Sequence, residues 1–147
     1  MMKYRLSEEK DFRSIISLWQ KNQKALYRPF YPEVEAKVKA GQYIVCTPSY
    51  DDEIVGFITF SNKNKIKEFR LEHLCVREDY RKRGIGRKLL TYATMYNNKH
   101  YKATCDYIKG FENNVFYEKL KTENLIKVIE ERVLPSGLTK IKIQIRG

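Results

Sequence analysis

Apolar residues recur along this chain with two periods, and the changes between them divide it into elements. Residues 3–6 read as a short first strand. Phe12, Ile15, Ile16 and Trp19 then mark one face of a helix at the 3.6-residue period. Glu8 and Glu9 suit its first turn, Ser7 or Asp11 can cap it, and Trp19 is expected in the core. A second helix is predicted over 32–40, with Pro32 in the first turn and Gly41 at the C-cap. Between the two helices lies Tyr27-Arg28-Pro29-Phe30-Tyr31, either a packed connection or part of a pocket wall. Three runs rich in β-branched and aromatic residues follow at 43–47, 54–60 and 66–76, the last unusually long. Turn-forming residues at 48–53 and 61–65 separate them, so an antiparallel meander is predicted. The helical period returns with Ile85, Leu89, Ala93 and Tyr96 on one stripe. A strand over 103–108, a short helix over 113–120 and a hairpin of strands 125–134 and 138–145 across Pro135-Ser136-Gly137 complete the chain. In the last strand Ile141, Ile143 and Ile145 alternate with Lys140, Lys142, Gln144 and Arg146, the pattern of a half-exposed face. Its 147 residues, with no repeat or linker, are expected to form one domain over 1–147.

One stretch joins two of these elements in a way that points to chemistry. The strand ending Leu71-Glu72-His73-Leu74-Cys75-Val76 runs into Arg81-Lys82-Arg83-Gly84-Ile85-Gly86, and a helix starts at once. Gly84 and Gly86 carry no Cβ, so the backbone there can turn tightly and approach a ligand. The unsatisfied N–H groups and positive dipole end of the new helix face whatever sits on the turn. Arg81, Lys82, Arg83, Arg87 and Lys88 add full charges around the same spot. This is a seat for phosphates, best suited to a pyrophosphate. A dinucleotide-binding fingerprint is the rival, since Asp106 lies twenty residues beyond Gly86. That fingerprint requires a third glycine where this chain has Leu89, and it belongs in an early βαβ unit rather than behind a run of antiparallel strands.

Arg81-x-x-Gly84-x-Gly86, placed between a strand and a helix, resembles the acyl-coenzyme-A-binding signature of the GCN5-related N-acetyltransferases, the GNAT family. The order of elements over the whole chain is similar to that family's as well. The resemblance implies an α+β fold: a mostly antiparallel mixed sheet of about seven strands with about four helices, in the order β-α-α-β-β-β-α-β-α-β-β. It implies that the turn's amides hold the pyrophosphate of acetyl-CoA, the co-substrate, and that the acyl group passes directly from the thioester to a primary amine. The implied coenzyme-binding residues are Leu74, Cys75, Val76, Arg81, Lys82, Arg83, Gly84, Ile85, Gly86, Arg87, Asn113 and Tyr117.

Acyl transfer to an amine needs a base for the amine, a donor for the oxyanion and an acid for the departing thiolate. Glu72 is the first candidate base, at a place on the strand that matches a catalytic Glu in some members. Its neighbour His73 is the second candidate base, since an imidazole's unperturbed pKa of about 6.5 suits the role; it would point to the opposite face of a regular strand, and a water relay would serve equally. Backbone groups near Leu74 to Val76 are the implied oxyanion donors. Asn113-Asn114-Val115-Phe116-Tyr117-Glu118-Lys119-Leu120 resembles the family segment whose tyrosine sits near the coenzyme sulfur, which makes Tyr117 the expected acid. The chain departs from the common pattern at Gly110, where many members have Asn, and after Leu120, where Lys121-Thr122-Glu123-Asn124 replaces Gly-Phe. Those departures bear on the acceptor end. Cys75 is expected to be an inert strand thiol, not a covalent acyl carrier.

Composition narrows the partners. A net charge of +11 favours an anionic ligand, acceptor or partner. The acceptor could be a small amine, a peptide N-terminus, a lysine, or an amino group on a nucleotide or aminoacyl-tRNA. A basic nucleic-acid-binding or nucleic-acid-modifying protein would share that charge, but no zinc-finger or RNA-binding motif accompanies it. A GNAT fold that binds coenzyme A without turnover is the other alternative. Three cysteines without metal-ligand spacing suggest reduced thiols, a cytoplasmic protein and no metal. No run approaches the roughly 18 apolar residues of a membrane span, so no membrane partner is expected. A monomer or homodimer is anticipated.

Overall fold

The computed structural model of the chain describes residues 1–22, 28–110 and 114–146. The elements in chain order are β1 (Met2–Leu6), a single 3-10 turn (Glu9–Asp11), α1 (Phe12–Gln20), α2 (Tyr31–Lys39), β2 (Tyr43–Pro48), β3 (Gly56–Lys63) and β4 (Glu68–Val76). A second 3-10 turn (Glu78–Tyr80) leads to α3 (Ile85–Thr94), β5 (Lys102–Ile108), α4 (Asn114–Thr122), β6 (Ile126–Val133) and β7 (Thr139–Ile145). Apart from the two 3-10 turns, this is the order that periodicity predicts. The seven strands are hydrogen-bonded in the order β1-β2-β3-β4-β5-β7-β6, with the β4–β5 pair parallel. None of the helices among the described residues is long and apolar enough to cross a membrane.

The chain divides into two compact units. The first comprises Met1–Ser61 and Leu71–Tyr96. Within it β2 pairs antiparallel with both β1 and β3, and all six of its residues are buried. A strand covered on both faces must read as a continuous apolar run, and Tyr43-Ile44-Val45-Cys46 does. Tyr43 and Val45 join Ile15, Ile16, Leu18 and Trp19 of α1, Val34 and Val38 of α2, Ile54, Phe57 and Cys75 in one core cluster. Helix α3 buries Ile85, Leu89, Leu90 and Ala93. It approaches the sheet closely because Gly56 has no side chain. A Cβ there would lie 3.3 Å from the Cys75 carbonyl oxygen, Ile85 Cγ2 and Leu89 Cδ1.

Ser7 does not cap α1. Its hydroxyl donates to the Val38 carbonyl at 3.0 Å and accepts from the Tyr43 N–H at 3.3 Å, joining strand and helix. Asp11 instead reaches back to the Glu8 N–H at 2.7 Å and pairs with both terminal nitrogens of Arg5, at 2.7 and 2.9 Å. Tyr96 falls beyond the end of α3 and stacks on Phe60 with 5.4 Å between ring centres.

The second unit comprises Asn62–Arg70 and Asn97–Gly147. The first residues of β4 pair with β5, and β7 lies between β5 and β6. The register sets Cys105 opposite Ile143 and Tyr107 opposite Ile141, so one face is apolar and is met by Tyr117 of α4. The intervening residues carry charge. Arg70 bonds Asp106 at 2.7 Å and Thr104 at 2.8 Å, and Lys142 bonds Glu68 at 2.8 Å. The alternation of the last strand is thereby explained: Ile141 and Ile143 are buried, while Lys140 and Lys142 join the ionic face.

Candidate active site

The glycine turn sits at the end of β4 in the first unit. The Arg77 N–H donates to the Val55 carbonyl at 2.7 Å, fixing where the strand ends. Lys82 and Gly84 both have left-handed backbone, with φ of 64° and 81°. Such alternation gathers successive N–H groups into a concave nest suited to anions. The first α3 bond runs from the Lys88 N–H to the Gly84 carbonyl at 3.1 Å. The amides of Ile85, Gly86 and Arg87 therefore precede the helical ladder and face the N-terminal end. Gly86 itself lies inside the first turn of α3, so of the two glycines only Gly84 takes part in the reversal. Ile85 is buried and anchors the helix.

The basic residues around this turn divide by role. Arg81 Nε donates to the Val76 carbonyl at 3.0 Å, and its Nη2 donates to Asn22 Oδ1 at 2.5 Å, so its guanidinium ties strand end to helix end. Arg83 and Arg77 lie on the Tyr80 ring at 4.7 and 4.8 Å, and the Tyr80 hydroxyl meets that of Tyr50 at 2.9 Å. Lys82, Arg87 and Lys88 are exposed beside the turn. The expected cluster of five phosphate-facing cations thus includes two guanidiniums engaged in holding the turn.

Five residues upstream of the 3-10 turn, β4 is irregular. His73 has φ of 57°, a left-handed value within a strand. This breaks the alternation that would send Glu72 and His73 to opposite faces, and the two side chains meet with His73 Nε2 3.8 Å from Glu72 Oε2. The imidazole packs on Trp19, 4.6 Å between ring centres. Burial lowers the His73 pKa to about 4, with Lys37 adding to the effect and Glu72 and Glu33 opposing it. His73 is therefore a neutral imidazole at physiological pH. Beyond it, Leu74 and Val76 are half-buried and Cys75 is buried. Burial pushes the Cys75 thiol up to about 12, as an inert strand cysteine requires.

His73 opens onto a cavity of about 170 Å³. Trp19, Val34, Tyr43 and Thr59 form its buried floor, while Arg28, Phe30 and Glu33 are exposed around it. Lys37 completes the lining and pairs with Glu33 at 3.4 Å. Burial raises the Tyr43 hydroxyl pKa, and Glu33 and Glu72 raise it further. The segment between α1 and α2 does supply pocket wall, through Arg28 and Phe30; Tyr27 lies outside the described residues. Trp19 is core, at 2% exposure, and lines the cavity as well. Tyr43, Thr59, Glu33 and Lys37 are absent from the sequence-based candidates. Their strands and helix are legible, but nothing local marks which side chains converge.

In the second unit Tyr117 is 2% exposed. Its ring stacks on Tyr107 at 4.7 Å, and its hydroxyl lies 3.5 Å from Cys105 Sγ. Burial raises its pKa well above the ordinary tyrosine value, with Cys105 contributing. The hydroxyl is thus protonated at any physiological pH. Tyr107 is held in turn by a 3.1 Å bond from its hydroxyl to Glu118. Asn113 lies outside the described residues. Its neighbour Asn114 opens α4, and its Oδ1 is buried without a hydrogen-bond partner among the described residues. Gly110, where the family pattern often has Asn, has φ of 94°.

The family model for the acetyltransferase (GNAT) domain matches residues 39–121. No curated protein sequence matches the chain. Among solved structures, a GNAT-family acetyltransferase from Bacillus cereus superposes with a TM-score of 0.77 at 17% identity, covering 99% of this chain and 97% of that one. Diaminobutyrate acetyltransferase EctA from Paenibacillus lautus, solved with its substrate and coenzyme A, gives 0.76 at 15% identity over 99% and 95%. The ribosomal-protein-S18-alanine N-acetyltransferase of Escherichia coli gives 0.72 at 16% identity over 99% and 93%. At these identities the likeness to solved structures is one of fold.

Proposed function

The chain belongs to the GNAT acetyltransferase family, and from that premise we propose that it acts as one domain that moves an acetyl group from acetyl-CoA directly to a primary amine. The observation that carries the reading is the turn at 82–87. It combines left-handed backbone at Lys82 and Gly84 with helix-end amides at 85–87 and exposed cations beside them. Residues Leu74 to Val76 and 81–87 are the proposed coenzyme-binding set. An anionic acceptor fits the net charge of +11. The three cysteines are free and buried, which supports a cytoplasmic protein. A disulfide in protein isolated without reductant would oppose that placement.

In the proposed reaction the acceptor ammonium first loses a proton, to Glu72 directly or through water. The neutral nitrogen attacks the thioester carbon, and the oxyanion is met by backbone N–H groups near Leu74 to Val76. The C–S bond then breaks, the thiolate takes a proton from the Tyr117 hydroxyl or from solvent, and the nitrogen loses its second proton. The products are the amide, coenzyme A thiol and one released proton. A pKa near 4 makes His73 a weak base, since proton transfer is best served by a group titrating near the working pH. Its neutral ring suits packing against the acceptor.

The test is a thermal melt with and without saturating acetyl-CoA. At about 100 times the dissociation constant, binding adds about 2.7 kcal/mol. For a domain of this size that is a rise of roughly 5–10 °C. Gly86→Glu, which puts a side chain and negative charge at the phosphate seat, should abolish the rise. A rise retained in that variant, or none with acetyl-CoA in the parent, would refute the site.

A further inference from the structure

Two basic loops that are distant in sequence lie side by side in the second unit. One covers the end of β3 and the turn into β4, Asn62-Lys63-Asn64-Lys65-Ile66-Lys67; the other leads from α3 into β5, Asn97-Asn98-Lys99-His100-Tyr101-Lys102. Parallel pairing of β4 with β5 sets Glu68 opposite Lys102, so both loops stand at the same end of those two strands. They touch through Asn64, whose Oδ1 accepts from Lys99 Nζ at 3.0 Å and from the Tyr101 hydroxyl at 3.2 Å. The five lysines and His100 are all exposed.

Neither loop contains an Asp or Glu. The acids that flank them are engaged elsewhere: Glu68 with Lys142 and Thr104, both at 2.8 Å, and Asp106 with Arg70 at 2.7 Å and Lys140 at 3.3 Å. No ion pair joins the five lysines to a described carboxylate. Glu112 is the one acidic side chain outside the described residues, and one carboxylate cannot neutralise five ammoniums. The chemistry of the patch narrows its partner. Protein interfaces are depleted in lysine. A lysine-based membrane dock needs a second, apolar anchor, and Ile66 is the only aliphatic side chain on offer. Lysine, asparagine and tyrosine side chains are, by contrast, the usual partners of a phosphate backbone. Asn62 and Asn98 are exposed, and an amide that both donates and accepts matches a ribose 2′-hydroxyl.

We propose that these two loops dock a single-stranded RNA. The lysines meet its phosphates, and the exposed amides and His100 meet its riboses and bases. The surface is separate from the acetyl-transfer chemistry, and the inference does not depend on that reading.

The test is fluorescence anisotropy of a fluorescein-labelled single-stranded RNA of mixed sequence, without coenzyme, over a range of sodium chloride concentrations. DNA of the same sequence is titrated alongside and should bind severalfold more weakly. Five phosphate contacts give log K a slope of roughly −3.5 against log salt. Lys63→Gln, Lys65→Gln and Lys102→Gln together should flatten that slope by about 2 and weaken binding at least tenfold near physiological salt. Their side chains make no hydrogen bond or ion pair with a described residue, so the triple variant should melt like the parent. Lys119→Gln, Lys121→Gln and Lys127→Gln together remove the same charge from exposed positions elsewhere in the unit. They should weaken binding by no more than about threefold, the effect of net charge at a distance under screening.

Equal losses in the two triple variants would show that net charge alone attracts the RNA, and would overturn the inference. A DNA strand bound as tightly as the RNA would overturn it too, as would an RNA affinity indifferent to salt. Phosphatidylserine vesicles or polyglutamate serve as competing polyanions. If either binds through Lys63, Lys65 and Lys102 while the RNA does not, the surface belongs to a membrane or an acidic protein and the RNA assignment falls.

Discussion

Lowering the pH should destabilise the protein through His73 well before its carboxylates begin to protonate. The folded pKa of about 4 lies below the unperturbed value of about 6.5, so between those values the unfolded chain binds a proton that the folded one refuses. Stability therefore rises with pH across this window, is fully present above about 6.5, and is lost as the pH falls towards 4. For the whole shift, moving from pH 8 to pH 5 corresponds to about 2 kcal/mol. The His73 side chain is 32% exposed, so solvent screens part of the penalty, and about 1 kcal/mol is expected. In a domain of this length that is about 3–4 °C of melting temperature. The assay compares the pH 8 and pH 5 melts of the parent with those of His73→Gln, which keeps a polar side chain of similar size that does not titrate. The loss on acidification should be smaller in the variant by that amount. Equal losses in the two proteins would show that the imidazole is not held neutral against Trp19, and the packing argument for the cavity floor would fall with it.

Three further outcomes are expected. Gly84→Ala should melt about 3–8 °C lower, because nothing lies within 4 Å of the added methyl and the cost is that of left-handed backbone alone, about 1–2 kcal/mol; Gly84→Asn should lose less, and equal melting of the alanine variant and parent would contradict the φ of 81°. Tyr117→Phe should lower turnover by about 100-fold or more if the hydroxyl is the acid, with coenzyme affinity nearly kept; unchanged turnover would remove it from the mechanism. Glu72→Gln should flatten the acid limb of the pH–rate profile, whereas an unshifted profile would leave the proton to water or to His73.

Much of this protein is legible without coordinates. Hydrophobic period alone orders the eleven main elements, because each must bury a face and its spacing reveals which geometry does so. The phosphate turn is equally legible, because its determinants are consecutive: Gly84 supplies the reversal, and the helix that begins at Ile85 supplies the amides. Tertiary structure decided what is assembled from distant segments. The cavity draws Trp19, Arg28, Glu33, Tyr43, Thr59 and His73 from five elements and a connection, and no spacing rule links them. Gly56 reads as an ordinary strand glycine until α3 is seen packed 3.3 Å from its missing Cβ. His73 is the sharpest case. Strand periodicity sends it away from Glu72, yet its left-handed backbone brings the two side chains together while the imidazole packs on Trp19. Local sequence encodes the propensity of each element; where an irregular residue sits, and what it faces, depends on the packing that surrounds it.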